Sequence, residues 1–147
     1  MSEDERTAFT DEEVLQGAQG NANYFHLASI AFLRNRSLSP AEFISWLGGK
    51  VAALWELVGE GGAIAVARQA SLNWVSVGST LRSLSGDEDR AEAVVADWPP
   101  AEVASFFELS QADGDSLWQI MEPIAAHLGL QYQWEREGDA VRMTFWR

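Results

Sequence analysis

Apolar and polar residues alternate at the end of the chain, in the stretch LQYQWEREGDAVRMTFWR (residues 130–147). A period of two is typical of a strand with one buried face, and Gly138-Asp139 is a two-residue turn signal. Counting outward from this turn gives one apolar and one polar face, with the cross-strand pairs Glu137–Ala140, Trp134–Met143, Tyr132–Phe145, Glu135–Arg142 and Gln133–Thr144. A shift of one residue would place Trp134 opposite Arg142 and mix the faces, so the pattern predicts a hairpin in this register.

Helical spacing dominates the first half of the chain. TDEE from Thr10 and SPAE from Ser39 both match a capping box, and Pro40 suits the first helical position. Apolar residues after SPAE recur at helical intervals and predict the face that packs on a core: Phe43, Leu47, Val51, Leu54 and Val58, widened by Trp46 and Trp55. GNAN (20–23) is expected to interrupt or end the first helix, RNRSL (34–38) to form a loop, and GEGG (59–62) to end the second helix.

The segment Tyr24–Leu33 is apolar on almost every side. A helix without a polar face is buried centrally or shared with a partner chain, so we expect a homodimer through this helix. Residues 63–77 favour a further helix, although Trp74, Val75 and Val77 also suit a strand.

The second half adds a strand and a proline-containing helix. SGDEDR (85–90) is a turn signal, and AEAVVADW (91–98) favours a strand, with a short helix as the alternative, ended by two prolines. AEVASFF (101–107) predicts one or two helical turns. SQAD (110–113) resembles a capping box and opens a helix to Gly129, in which Pro123 should cause a kink.

This order of elements indicates an α+β fold, with an antiparallel sheet covered by helices. We expect a single domain over residues 10–147, mainly helical over 10–80 and strand–helix–hairpin over 81–147, after a disordered lead at residues 1–9.

Composition and charge argue against several classes of function. The chain has 22 acidic and 10 basic side chains, a net charge of −12, which disfavours nucleic acid as a partner. It has no cysteine, so thiol nucleophiles, disulfides and thiolate metal sites are excluded. The chain contains no stretch of about 20 apolar residues, so no membrane span is predicted. The acidic start MSEDERTAFTDEE lacks the basic-then-apolar pattern of a signal peptide. We therefore expect a cytoplasmic protein without a membrane partner.

Candidate catalytic groups are few. His26 favours a packed role, with a ligand contact or a metal as alternatives, and His127 favours a helix end. Asp97, Asp115 and Glu122 would form a carboxylate group only if strand and helix bring them together. No nucleophile elbow, zinc-protease spacing or calcium loop occurs, and GEGG lacks the lysine of a phosphate-binding loop. No metal or cofactor is predicted.

Aromatic residues concentrate in the second half, and the chain contains seven tryptophans. They favour an aromatic core, a dimer interface, or a pocket between sheet and helices for an apolar or planar small molecule. The residues predicted to line such a pocket are Trp74, Trp98, Phe106, Trp118, Tyr132 and Trp134.

Residues 91–147 show a family resemblance, carried by AEAVVADWPP, SQADGDSLWQIMEPIAAHLGL and QYQWEREGDAVRMTFWR. This part resembles the ligand-binding domain family named after bacteriochlorophyll vinyl reductase, and also the aminothiazoline-carboxylate hydrolase-like proteins. In those families a strand ending in Cys-Pro leads to a helix, a Gly-Leu stop and a closing hairpin. Here the strand ends in Asp97-Trp98-Pro99, so neither thiol nor metal chemistry carries over.

The resemblance implies a small-molecule-binding or sensory α+β domain, often dimeric, and transfers no catalytic residue. Three hypotheses therefore stand: a small-molecule-binding module, a homodimeric structural or interaction protein, and, with less support, a hydrolase or proton-transfer enzyme using Asp115, Glu122 or His26.

Overall fold

A computed structural model describes residues 8–147 and shows an α+β fold, in which helices cover one face of a four-stranded antiparallel sheet. Most of the disordered lead predicted for residues 1–9 lies outside this range. The helices and strands are α1 (Asp11–Asn35), α2 (Pro40–Val51), a 3-10 turn (Ala52–Trp55), α3 (Glu56–Gly59), α4 (Gly62–Ser76), β1 (Thr80–Gly86), β2 (Arg90–Ala96), α5 (Ala101–Phe106), α6 (Gln111–Asp115), a 3-10 turn (Ser116–Ile120), α7 (Met121–His127), β3 (Gln131–Glu137) and β4 (Ala140–Trp146).

Helix α1 begins as predicted, because the Thr10 hydroxyl accepts from the Glu13 amide and the Glu13 carboxylate accepts from the Thr10 amide. The expected interruption at residues 20–23 is wrong, since the helix continues to Asn35. Asn23 is buried there and donates Nδ2 to the carbonyl of Val77 at 2.8 Å. Tertiary contact thus overrides the low helix propensity of GNAN. The loop predicted from Arg34 consequently begins after Asn35.

The predicted face of α2 is confirmed in part, because Phe43, Val51 and Val58 are half-buried and pack against the core. Ile44 and Gly48 are buried, whereas Trp46 is exposed and Leu54 is 81% exposed. The 3-10 turn at Ala52–Trp55 has three residues per turn, so it changes the helical phase after α2 and brings Trp55 inward. Residues 63–77, which also suited a strand, belong mostly to helix α4.

The sheet has the order β1-β2-β4-β3. Every predicted pair of the β3–β4 hairpin is present, including Trp134 opposite Met143 and Tyr132 opposite Phe145. The expected ion pair with Glu135 is not made, because Arg142 binds Glu137 and Glu92 instead.

Strand β1 is the element that the sequence pattern missed. It pairs with β2 at the edge of the sheet and is largely exposed on both faces. Arg82 is an extra residue in its register, a β-bulge, and its guanidinium donates to both carboxylate oxygens of Asp139 at 2.7 and 2.6 Å.

The segment predicted as one kinked helix is three consecutive pieces: α6, a 3-10 turn and α7. Pro123 lies in the first turn of α7, where a missing amide hydrogen removes no helical hydrogen bond. The break therefore precedes the proline. Gly129 follows α7 with φ of +74°, the left-handed position expected of it.

The core lies between α1, α4, α7 and the inner face of the sheet, where Leu27, Val66, Ile124, Met143 and Phe145 are all buried. Within residues 8–147, no helix has both the length and the apolar character needed to cross a bilayer.

Candidate functional site

Three of the six predicted pocket residues meet at the centre of the molecule. Trp74 of α4 stacks on Trp118 with ring centroids 3.9 Å apart, and it contacts Trp98 at 5.0 Å. All three side chains are buried. This tryptophan cluster fills the space between sheet and helices, where the sequence led us to expect a pocket.

Two of the three indole nitrogens of the cluster are paired with groups from α6. Trp98 donates to the carbonyl of Gly114, and Trp118 donates to the carboxylate of Asp115, both at 3.3 Å. These bonds hold the rings in place, because a buried indole N–H without a partner would be destabilising.

The other predicted residues lie apart from this centre. Tyr132 is half-buried on the inner face of β3 and donates its hydroxyl to the carbonyl of Trp118 at 2.9 Å. Burial, and then the charge of Glu122, raise the pKa of Tyr132 well above its usual value. Trp134 is half-buried on the same face. Phe106 is 70% exposed on α5, where it packs edge-on against Tyr24.

An apolar cavity of about 210 Å³ lies on the helical side of the tryptophan cluster. It is enclosed by α1, α2 with its 3-10 turn, α4 and the segment 117–124. Its principal apolar lining residues are Val51, Trp55, Ala70, Trp74, Ile120 and Met121. Of the six residues named from sequence, Trp74 alone lines it, and the cavity lies between helices rather than against the sheet.

Two polar side chains border this apolar cavity, His26 of α1 and Asn73 of α4. The His26 ring stands edge-on to Trp98 with centroids 6.0 Å apart. Desolvation of the ring lowers the pKa of His26 below its usual 6.5, so its neutral form dominates at pH 7. The Asn73 carbonyl oxygen accepts from Gln69 at 3.0 Å. A neutral imidazole beside an apolar cavity can donate or accept one hydrogen bond.

The three carboxylates considered as a catalytic group do not converge. Asp115 is buried and bound by Arg136, which donates Nε to Oδ2 at 2.6 Å and Nη2 to Oδ1. Asp97 accepts from the Thr80 hydroxyl at 2.8 Å, and Glu122 is exposed. His127 ends α7 as expected and lies 3.0 Å from a carboxylate oxygen of Glu56.

Arg136 links several parts of the chain around the tryptophan cluster. Its Nη2 also donates to the carbonyl of Trp98 at 2.6 Å, so one guanidinium links β3, α6 and the segment that follows β2. Among residues 8–147 there is no group of three or more His, Asp or Glu side chains that could hold a metal ion.

Sequence reasoning missed most of the cavity wall. Val51, Ala70, Ile120 and Met121 carry no signal beyond helical spacing, and their convergence depends on how the helices pack. His26 did carry a signal, as a ring nitrogen on an otherwise apolar helix.

The chain was compared with protein-family models and with curated proteins, and neither comparison found a match.

Proposed function

We propose that the protein is a small-molecule-binding module whose ligand occupies the apolar cavity beside Trp74. The observation that carries this proposal is a cavity of about 210 Å³ with an apolar lining and two polar side chains at its border. Such a combination, an apolar body with a few orienting polar groups, is typical of ligand sites.

The size of the cavity limits the ligand. Sites for drug-sized molecules usually measure about 300–1,000 Å³, so this one suits a compound of one or two rings. The wall formed by Trp74 and Trp55 favours a planar aromatic body, because aromatic rings stack or meet edge to face. The ligand's one polar group would bond with His26 or Asn73.

The likeness of residues 91–147 to vinyl-reductase-type ligand-binding domains agrees with this proposal. The cavity residues from that part of the chain are Leu117, Ile120, Met121 and Ile124. No catalytic residue is proposed, because the carboxylates are separated and Asp115 is held by Arg136.

The experiment is titration with indole and 4-methylphenol, followed by isothermal calorimetry and by thermal unfolding monitored by circular dichroism. Both probes should bind saturably and should raise Tm with increasing concentration. Asn73→Phe would place a ring at the mouth of the cavity and should weaken binding by at least about tenfold, or about 1.4 kcal/mol.

Leu72→Phe is the matched control, because Leu72 is an exposed neighbour on α4 that does not line the cavity. It should bind the probes as the wild type does. If neither probe changes Tm, or if both variants bind equally well, the cavity is not a binding site for this class of ligand.

A second candidate function is self-association through the outer face of α1. One face of α1 packs on the core through Leu27 and Ile30, whereas Phe25 is 75% exposed and Phe32 is 53% exposed. These two phenylalanines are seven residues apart and share one face. Together with Phe43 of α2 they line an apolar groove. Aromatic residues are enriched at the centres of interfaces, so a second copy of the chain is the proposed occupant.

Light scattering after size exclusion tests this candidate over a range of concentrations. The wild type should form a dimer that Phe25→Ser with Phe32→Ser converts to a monomer. Leu57→Ser is the control, since Leu57 is 79% exposed on α3, away from the groove. A wild-type monomer at every concentration would refute it.

A further inference from the structure

A second, polar cleft of about 620 Å³ lies next to the apolar cavity, and Val77 lines both. Three parts of the chain contribute most of its lining: the first half of α1, the turn at Val77–Gly78 after α4, and the segment 97–101 after β2. Apart from Val77 its lining residues differ from those of the apolar cavity and include charged side chains, so a ligand site here does not depend on the function proposed for that cavity.

Helix α1 presents a row of amides to this polar cleft. Gln16, Gln19 and Asn23 are three and four residues apart, which places them on one helical face. Gln16 is exposed and Gln19 half-buried, whereas Asn23 is only 8% exposed.

The Asn23 amide is fixed but incompletely bonded. Its Nδ2 donates to the Val77 carbonyl, so an exchange of nitrogen and oxygen would bring two acceptors together. Its Oδ1 is covered and has no hydrogen-bond partner among residues 8–147. A buried acceptor without a partner destabilises the fold. A ligand that donates a hydrogen bond to Oδ1 would remove this penalty.

The charges around the polar cleft favour a cation. Asp97 and Asp139 lie on its wall; Asp139 is paired with Arg82, so Asp97 is the carboxylate that would attract a cation. Helix α4 ends at Ser76, next to the lining residues Val77 and Gly78, and the end of a helix carries a partial negative charge. Arg136 also lines the cleft, but Asp115 neutralises it and its Nη1 donates to the Gly138 carbonyl.

We propose that the polar cleft binds a small organic cation with N–H donors, a primary ammonium or a guanidinium. One donor bonds to Asn23 Oδ1, and a second pairs with the carboxylate of Asp97, which is exposed. Because Oδ1 is covered in this structure, binding requires that the side chains around it move aside.

Isothermal titration with butylamine and agmatine tests the proposal, with N-butylacetamide as an uncharged probe of similar shape. Both cations should bind saturably and the amide should bind much more weakly. Asp97→Asn should reduce cation affinity at least about tenfold, because it removes a charge-assisted hydrogen bond to the ligand. Asparagine suits this position, where φ is +69°.

Asp89→Asn is the matched control, since it also removes one negative charge, in an exposed ion pair with Arg147 outside the cleft. It should leave cation affinity unchanged. A second variant, Asn23→Ser, should also bind the cations more weakly than the wild type, and circular dichroism would confirm that this variant is folded. Equal losses in Asp97→Asn and Asp89→Asn would show only general attraction to an acidic protein and would overturn the proposal, as would the absence of saturable binding.

Discussion

Two bidentate Arg–Asp pairs within residues 8–147 differ in burial, and we expect opposite effects on stability when their arginines are replaced. Arg136 and Asp115 have side chains that are 17% and 9% exposed, whereas Arg82 and Asp139 are 47% and 64% exposed. We expect Arg136→Met to destabilise the fold strongly and Arg82→Met to leave stability almost unchanged, because solvent screens an exposed pair.

The magnitude follows from what Arg136→Met leaves behind. The Asp115 carboxylate would keep only the Trp118 indole as a side-chain partner, and the Trp98 carbonyl would lose its donor. Removing one partner of a buried ion pair costs about 3–5 kcal/mol. In urea, with m of about 2 kcal/mol/M, the midpoint should fall by about 2 M, and Tm by roughly 10 °C.

Equilibrium unfolding in urea, followed by circular dichroism, measures both variants under one set of conditions. The double variant Asp115→Leu with Arg136→Met should be more stable than Arg136→Met alone, since it leaves no unpaired buried charge. Equal midpoints for Arg82→Met and Arg136→Met would refute the assignment of the buried pair as a structural link.

Three further expectations concern other parts of the fold. Gly48→Ala should lower the free energy of unfolding in denaturant by about 1–3 kcal/mol, because the added Cβ would lie 2.5 Å from Pro123 Cγ. Gly49→Ala, where the added Cβ meets open space, should raise it by up to about 1 kcal/mol, and equal changes in the two variants would contradict this reasoning. The pKa of His26 is lower in the folded state than the unfolded value of 6.5, so the wild-type free energy of unfolding should fall as pH decreases below 6.5 and level off below the folded pKa. The same pH series measured on His26→Gln should lack this part of the pH dependence. Thr10→Ala should destabilise the start of α1 by about 1 kcal/mol, seen as faster amide hydrogen exchange in its first turn, and unchanged exchange would argue against the capping box.

The hairpin was predictable in full because two independent signals agreed. Alternation fixed which residues share a face, and the Gly138-Asp139 turn fixed the pairing. Capping boxes located the starts of α1 and α6 equally well, since these patterns depend on residues only three apart.

Other features depend on contacts between distant parts of the chain, which no local pattern records. Strand β1 has no buried face, so it lacks alternation. Continuous helix at Asn23 rests on a bond to Val77, 54 residues away. The tryptophans were identified as a group, but the stacking of Trp74 on Trp118 follows from ring positions that composition does not determine.

The bulge at Arg82 has a consequence for how copies of this chain can meet. An edge strand presents free amides and carbonyls on which another chain can assemble by adding strands, the first step toward fibrils. The extra residue in β1 interrupts the two-residue repeat that such an added strand must match, and it places a charged arginine at the same point. Growth of the sheet along β1 is thereby opposed, so an added strand would find an uninterrupted repeat only at β3, the other edge of the sheet.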